Sequence, residues 1–218
     1  VGLAASVCWP LFDLRISTPR LEMRPVREAD MFELIDLADQ GIHDPSVMPF
    51  VNPWTDEPLP ERRWNSMRFY WQKWGAFAPE AWYLPFAIRH EGRIIGSQDL
   101  WADQFVAKRV AESGSWIGQT YQGNGFGKEM RHAIVALAFE GLGATAVTSG
   151  AFWDNGASIA VSRSLGYVEN GVDTILRRGE PERLLRFRLD REVWLQHRRE
   201  DIVIEGLEPC LPLFGLSG

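Results

Sequence analysis

The chain has 218 residues, 45% of them hydrophobic, and a formal net charge of −6. It is long enough to bury a sizeable core, yet no stretch approaches the ~20 apolar residues of a membrane span. The acidic balance disfavours general nucleic-acid binding, which needs a basic surface. The opening VGLAASVCWPLFDLR lacks the basic flank and sustained apolar run of a signal peptide, so a cytoplasmic protein is expected, with no membrane or nucleic-acid partner. Cys8 and Cys210 lie near opposite ends without a CxxC, and His43, His90, His132 and His197 are scattered, so no metal site is expected.

In chain order, RLEMRPV (20–26) alternates and predicts a strand ending at a proline, and READMFELIDLAD (27–39) carries a helical stripe at Met31, Leu34, Ile35 and Ala38. Residues 41–60 hold five prolines and read as a loop, and 60–74 as a helix with Trp64, Met67, Trp71 and Trp74 on one face. WYLPFAIRH (82–90) and RIIGSQDLWA (93–102) flank the two-residue turn Glu91-Gly92, a hairpin signal. A third strand is expected over 109–118, a helix over 127–143 ended by Gly141 or Gly143, and a strand over 145–152. A short helix over 154–167 has Asp154 or Asn155 available as its cap. VDTILRR and RLLRFRL read as an antiparallel pair around Gly179-Glu180-Pro181, and DREVWLQHRRE as a short helix. The apolar tail 201–218 shows no clear element; it can cover this core or a second subunit, which leaves a homo-oligomer open. Without repeats, linkers or charge runs, residues 1–218 read as one mixed α/β domain with a mostly antiparallel sheet.

The segment QGNGFGKE (122–129) raises the functional question, because glycine costs about 1 kcal/mol relative to alanine in a regular element. A helix N-terminus carries unpaired N–H groups and about half a positive charge, and glycines before it let backbone approach an anion. Amides of Gly123, Asn124, Gly125, Phe126, Gly127 and Lys128 can therefore converge on a pyrophosphate, with the Lys128 ammonium beside them. Glu129 stands where a Walker loop needs Ser or Thr, and GxGxG late in the chain is not the early GxGxxG of a dinucleotide fold. A plain glycine-rich turn and an unrelated nucleotide-binding protein remain as other readings.

The loop has company. Gln122, Gly125 and Gly127, as Q-x-x-G-x-G opening a helix, resemble the acyl-CoA signature of the GNAT N-acetyltransferase superfamily. NGASIAVSRSLGY resembles that family's second motif, TPRLEMRPVREAD the opening of its Rim-type branch, and LDREVW the closing segment of that branch, over about 17–194. The resemblance implies a GNAT fold, a mixed sheet splayed between its fourth and fifth strands (here 109–118 and 145–152) with acyl-CoA in the split, and transfer of an acyl group to a primary amine without a metal. The acceptor would be a protein N-terminus, a lysine or a small amine. A non-catalytic acyl-CoA-binding sensor or assembly module of the same fold is the alternative.

The resemblance also assigns roles. Backbone N–H groups of Trp116 or Ile117 would polarise the thioester carbonyl, Asn155 would bond the pantetheine arm or cap its helix, and Ser158 would protonate the departing thiolate. Relatives with a tyrosine acid or a late glutamate base have Ser162 and Gly150 here, which leaves Glu112 and Asp99 as candidate bases. A lysine amine costs about 4–5 kcal/mol to neutralise at pH 7 and an α-amine about 1–1.5 kcal/mol, so a site without a strong base should prefer the latter. Where the branch carries AEIGYW this chain has AESGSW; Ser113 and Ser115 share a strand face and, if it lines the acyl pocket, suit a longer polar donor such as succinyl-CoA, whereas serines facing elsewhere would leave acetyl-CoA as the donor. Trp64, Trp71 and Trp74 are expected to pack in the core, and Trp54 to contact the acceptor.

Overall fold

Alternating apolar residues and a turn of two left-handed residues build the middle of the sheet. Strands β3 (Ala81–His90) and β4 (Arg93–Asp103) pair antiparallel through Glu91 (φ 49°) and Gly92 (φ 79°), the twist that suits a tight hairpin. The computed structural model describes residues 5–217. Before this hairpin come α1 (Ala5–Cys8), β1 (Arg15–Ser17), β2 (Glu22–Pro25), α2 (Glu28–Gln40) and α3 (Glu61–Gly75). After it come α4 (Phe105–Lys108), β5 (Val110–Ile117), α5 (Phe126–Ala136), β6 (Ala146–Phe152), α6 (Gly156–Ser164), β7 (Val168–Arg177), β8 (Glu180–Asp190), α7 (Arg191–Leu195) and β9 (Val203–Glu205). The strands form one nine-stranded sheet in the order β7-β8-β6-β5-β4-β3-β2-β1-β9.

Its pairs are antiparallel except β5 with β6, which the α5 crossover joins in parallel. That contact is short: Val110, Ala111 and Glu112 pair with Ala146, Val147 and Thr148. Beyond it β5 follows β4 as far as Ile117, and β6 follows β8 as far as Phe152. The sheet therefore opens into a V whose crotch lies just past Glu112 and Thr148, the splay expected between 109–118 and 145–152.

Each sheet face has its own apolar layer. On one side α2 and α3 bring Met31, Leu34, Leu37 and Tyr70 against Val26, Ala87 and Ile94. On the other, α5 supplies Met130, Ala133, Ile134 and, beyond its end, Leu137 to a larger core with Leu84, Phe86, Leu100 and Phe187. α5 runs on into a single wide turn, Leu137–Gly141, where Leu142 N–H donates to Leu137 O at 2.9 Å.

Several elements differ from the sequence expectation. In α3 the inward stripe is Met67, Tyr70 and Trp74, while Trp64 and Trp71 are 53% and 52% exposed; a helix turns 100° per residue, so the aromatic pair lies to one side of the true contact line. The last hairpin turns at Arg178 (φ 53°) and Gly179, and Glu180-Pro181 already belong to β8. The tail is ordered: β9 pairs with β1, and Cys210 and Phe214 are fully buried. It completes this chain's own core.

Candidate active site

α5 begins where the chain leaves β5. Gly123 (φ 78°) and Gly125 (φ 79°) take left-handed backbone that other residues adopt only at a cost, and Gly125 directly precedes the first helical turn. The Gln122 side chain fastens the loop, its Nε2 donating to Ile42 O at 2.6 Å and Ile117 O at 2.9 Å, and its backbone N–H donates to Gln119 O. The following amides, Gly123 to Lys128, find no acceptor among the described residues. The Asn124 side chain folds back on Tyr121 O and Gln122 O, and the Lys128 ammonium is exposed. The result is a ring of unspent donors beside a free cation, at the open end of the V.

A cleft of about 1390 Å³ runs from this loop into the split, larger than the roughly 300–1,000 Å³ of a usual small-molecule pocket. It has room for two substrates. Of the expected site residues, Gln122, Gly123, Gly125, Phe126, Gly127, Lys128, Trp116, Ile117, Asn155, Ser158, Ser113, Ser115, Glu112 and Asp99 all line it; Asn124 points its side chain back into the loop. Asn155 caps α6, its Oδ1 accepting from Ser158 N–H at 3.1 Å.

Strand alternation divides the expected β5 residues between two walls. Ser113 and Ser115 face α5: Ser115 Oγ accepts from the Arg131 guanidinium at 3.4 Å, and the buried Ser113 Oγ has no partner. Glu112 and Trp116 face the α2–α3 side with Asp99. Glu112 is ion-paired to Arg186 at 3.0 Å. Asp99 accepts from Tyr83 OH at 2.6 Å and Ser97 Oγ at 2.9 Å. Burial pushes the Asp99 carboxyl up to about 6, although those two hydrogen bonds and Lys73 pull the other way.

The loop 41–60 forms an aromatic bank over this wall: His43, Phe50, Trp54 and Trp116 follow one another with centroids 5.6 to 6.1 Å apart. Arg177 and Arg178 at the β7–β8 turn clamp it through Met48 O, Pro45 O and Asp56. Sequence reasoning missed Arg131 and this clamp. A lone arginine within an apolar helical run was the signal for the first; the second joins residues more than a hundred positions apart and left none.

A family model described as an acetyltransferase (GNAT) domain matches residues 20–168. The chain belongs to the GNAT acetyltransferase family. Solved GNAT structures share its fold at low identity. RimJ from Mycobacterium smegmatis, in complex with CoA-disulfide, is 20% identical with a TM-score of 0.69, covering 84% of this chain and 89% of that one. RimL, a ribosomal alpha-N-protein acetyltransferase in complex with coenzyme A, is 16% identical with a TM-score of 0.64, covering 79% and 95%. A spermidine N-acetyltransferase SpeG chimera from Vibrio cholerae and hSSAT is 18% identical with a TM-score of 0.64, covering 81% and 98%. Among the described residues of this GNAT chain, no helix is long and apolar enough to cross a membrane.

Proposed function

We propose that the protein is an N-acyltransferase that moves an acetyl or longer polar acyl group from CoA to a primary amine: a protein N-terminus, a lysine or a small amine. One observation carries this reading: the unspent amides of Gly123 to Lys128 open onto the split between β5 and β6. Gly123, Asn124, Gly125 and Lys128 are exposed, so their amides are open to a ligand, and a set of free donors at a helix entrance suits a diphosphate. That solved neighbours named RimJ and RimL contain CoA, and that another is named for spermidine, supports the donor and the amine acceptor.

Acyl-CoA supplies an activated thioester; the residues do the rest. Loop amides and Lys128 hold the diphosphate. Gly118 N–H donates to Ile95 O, so by ladder alternation the amide of Trp116 turns to β4 and that of Ile117 turns into the split. The Ile117 amide is then the better placed to polarise a carbonyl, the electrostatic contribution that is often largest in acyl transfer. Asn155 caps α6 through Oδ1 and keeps its Nδ2 for the donor's amide arm. Asp99 takes the amine proton, since Glu112 is already committed to Arg186, and the aromatic bank shelters an incoming ammonium. The Ser158 hydroxyl delivers a proton to the leaving sulfur. In sum a C–N bond forms and a C–S bond breaks; Asp99 gives its proton to solvent and solvent restores the Ser158 hydroxyl, so the net change exchanges one amine proton for one thiol proton.

The test is release of CoA thiol from acetyl-CoA with a panel of α-amino peptides, lysine peptides and polyamines. Turnover is expected with at least one class, and faster for α-amines than for lysine side chains at neutral pH. Binding without thiol release for every amine would make the protein an acyl-CoA-binding module instead.

A further inference from the structure

One charge in the cleft lacks a counter-charge. Arg131 on α5 is only 4% exposed, and its guanidinium spans the crotch of the V. One terminal nitrogen donates to Ser149 Oγ on β6 at 3.1 Å, and the other makes the longer contact to Ser115 Oγ on β5. Its Nε has no partner, and no carboxylate reaches it among the described residues. Ser113 Oγ and Tyr167 OH are buried beside it, close enough to one another and to Arg131 to interact, yet neither makes a well-formed hydrogen bond.

A guanidinium cannot shed its proton to escape burial, and a buried charge left unpaired is strongly destabilising. Hydroxyl oxygens are weak compensation. What the site lacks is an anionic acceptor, flat enough to meet a fork and small enough to fit between two strands; a carboxylate meets both needs. The diphosphate is not that anion. The loop that suits it lies beyond Ile117, whereas Arg131 meets the strands at Ser115 and Ser149, inside the split just past the β5–β6 pairing. The run from Ser115 to Ile117 spans about 7 Å at roughly 3.3 Å per residue, a length that a four-carbon acyl group with its carbonyl at the Ile117 amide can bridge. A donor gripped at the loop and laid along the split brings its acyl end, not its phosphates, to Arg131.

We propose that Arg131, with Ser113, Ser115, Ser149 and Tyr167, forms a subsite for a terminal carboxylate on the acyl group. The preferred donor is then the CoA thioester of a short dicarboxylic acid, of which succinyl-CoA is the probe. This rests on the reading of the cleft as an acyl-CoA site. The subsite changes which acyl group is held and leaves the bonds made and broken as described above.

Calorimetry on the full chain with free CoA, acetyl-CoA, butyryl-CoA and succinyl-CoA tests it. Butyryl and succinyl groups share a four-carbon length and differ in the carboxylate. Succinyl-CoA is expected to bind about 10- to 100-fold more tightly than butyryl-CoA, as for a hydrogen bond to a charged group. In Arg131→Met that ratio falls to about one, and in Arg131→Lys, a point charge without the fork, it falls part of the way. Equal affinities for the two thioesters in the unaltered protein, a comparison that needs no variant, would overturn the proposal. So would an Arg131→Met ratio as high as the original, or equal losses for every thioester, which would mark Arg131 as a general support for the donor. If free CoA also fails to bind, the acyl-CoA reading falls too; if CoA binds and the ratio is one, only the subsite falls.

Discussion

Arg20 Nε donates to a carboxylate oxygen of Glu129 at 2.7 Å, tying the entry of β2 to the first turn of α5. The same arginine donates to Asn124 O at 3.0 Å and lies 4.7 Å over the Phe126 ring, while its backbone N–H and Thr18 Oγ1 reach the other Glu129 oxygen. The residue that rules out a Walker loop is therefore the anchor of the loop that exists.

Arg20→Met should leave Glu129 buried with fewer partners and loosen the loop. The expected stability loss is roughly 1–3 kcal/mol, toward the low end because Arg20 is 44% exposed and its charge is screened. CoA affinity should fall with it. Burial alone would raise the Glu129 carboxyl, but the bonds from Thr18 and Arg20 outweigh it and hold it below its ordinary 4.5. Its contribution is thus present above that value and is lost as pH falls through the lower folded one. Urea titrations at several pH values, paired with calorimetry, check this; an unchanged midpoint and affinity would remove Arg20 from the loop's support.

Gly125→Ala places a side chain on left-handed backbone, at about 1–2 kcal/mol. Relief of that strain rotates the amides at the helix entrance. CoA binding should weaken by about tenfold, the worth of one charge-assisted bond. Gly75→Ala, at an open position with ordinary backbone, should leave binding alone. Equal affinities across both variants would count against the loop as the diphosphate site.

Asp99 supplies a pH signature. With its carboxyl raised to about 6, kcat/KM should climb as pH passes that value and the base ionises, and Asp99→Asn should lower the plateau and flatten the limb. Stability runs the other way. The fold favours the protonated form, so this contribution is complete below the unfolded value of about 3.9 and is lost as pH rises through about 6. A pH–rate profile that keeps its acid limb in Asp99→Asn would assign the base elsewhere.

Ser158 and Asn155 share one hydrogen bond but should fail differently. Ser158→Ala is expected to lower kcat by about 10²-fold with little change in CoA affinity. Asn155→Ala removes the cap, costing about 1 kcal/mol of stability, and weakens donor binding as well. Loss of affinity in Ser158→Ala without loss of kcat would make the serine a binding group.

Phe214 tests the tail. It is fully buried, with its ring 5.0 Å from Trp82 and 5.5 Å from Phe77. Phe214→Ala should cost about 3–5 kcal/mol, as for a large core truncation. A thermal midpoint within a degree of the original would mean that the tail only rests on the surface.

Local chemistry made most of this protein legible in its sequence. Periodicity marked α2 and α5, a capping residue marked α6, the Glu91-Gly92 turn fixed the central hairpin, and glycines before an apolar helix marked a loop of unspent amides, because helix phase, turn backbone and unpaired amides are properties of neighbouring residues. Asn155 as a cap follows from the same local rule. Partners distant in the chain were decided only by tertiary structure. Pairing of β1 with β9 joins short ends whose few residues carry no period. Which α3 aromatics face inward depends on the sheet beneath them. Glu112 and Asp99 look equivalent as letters, yet an arginine on β8 engages one while burial raises the other. Arg131 becomes informative only once two diverging strands leave its charge in a gap, because the cost of an unpaired ion is set by what surrounds it in space.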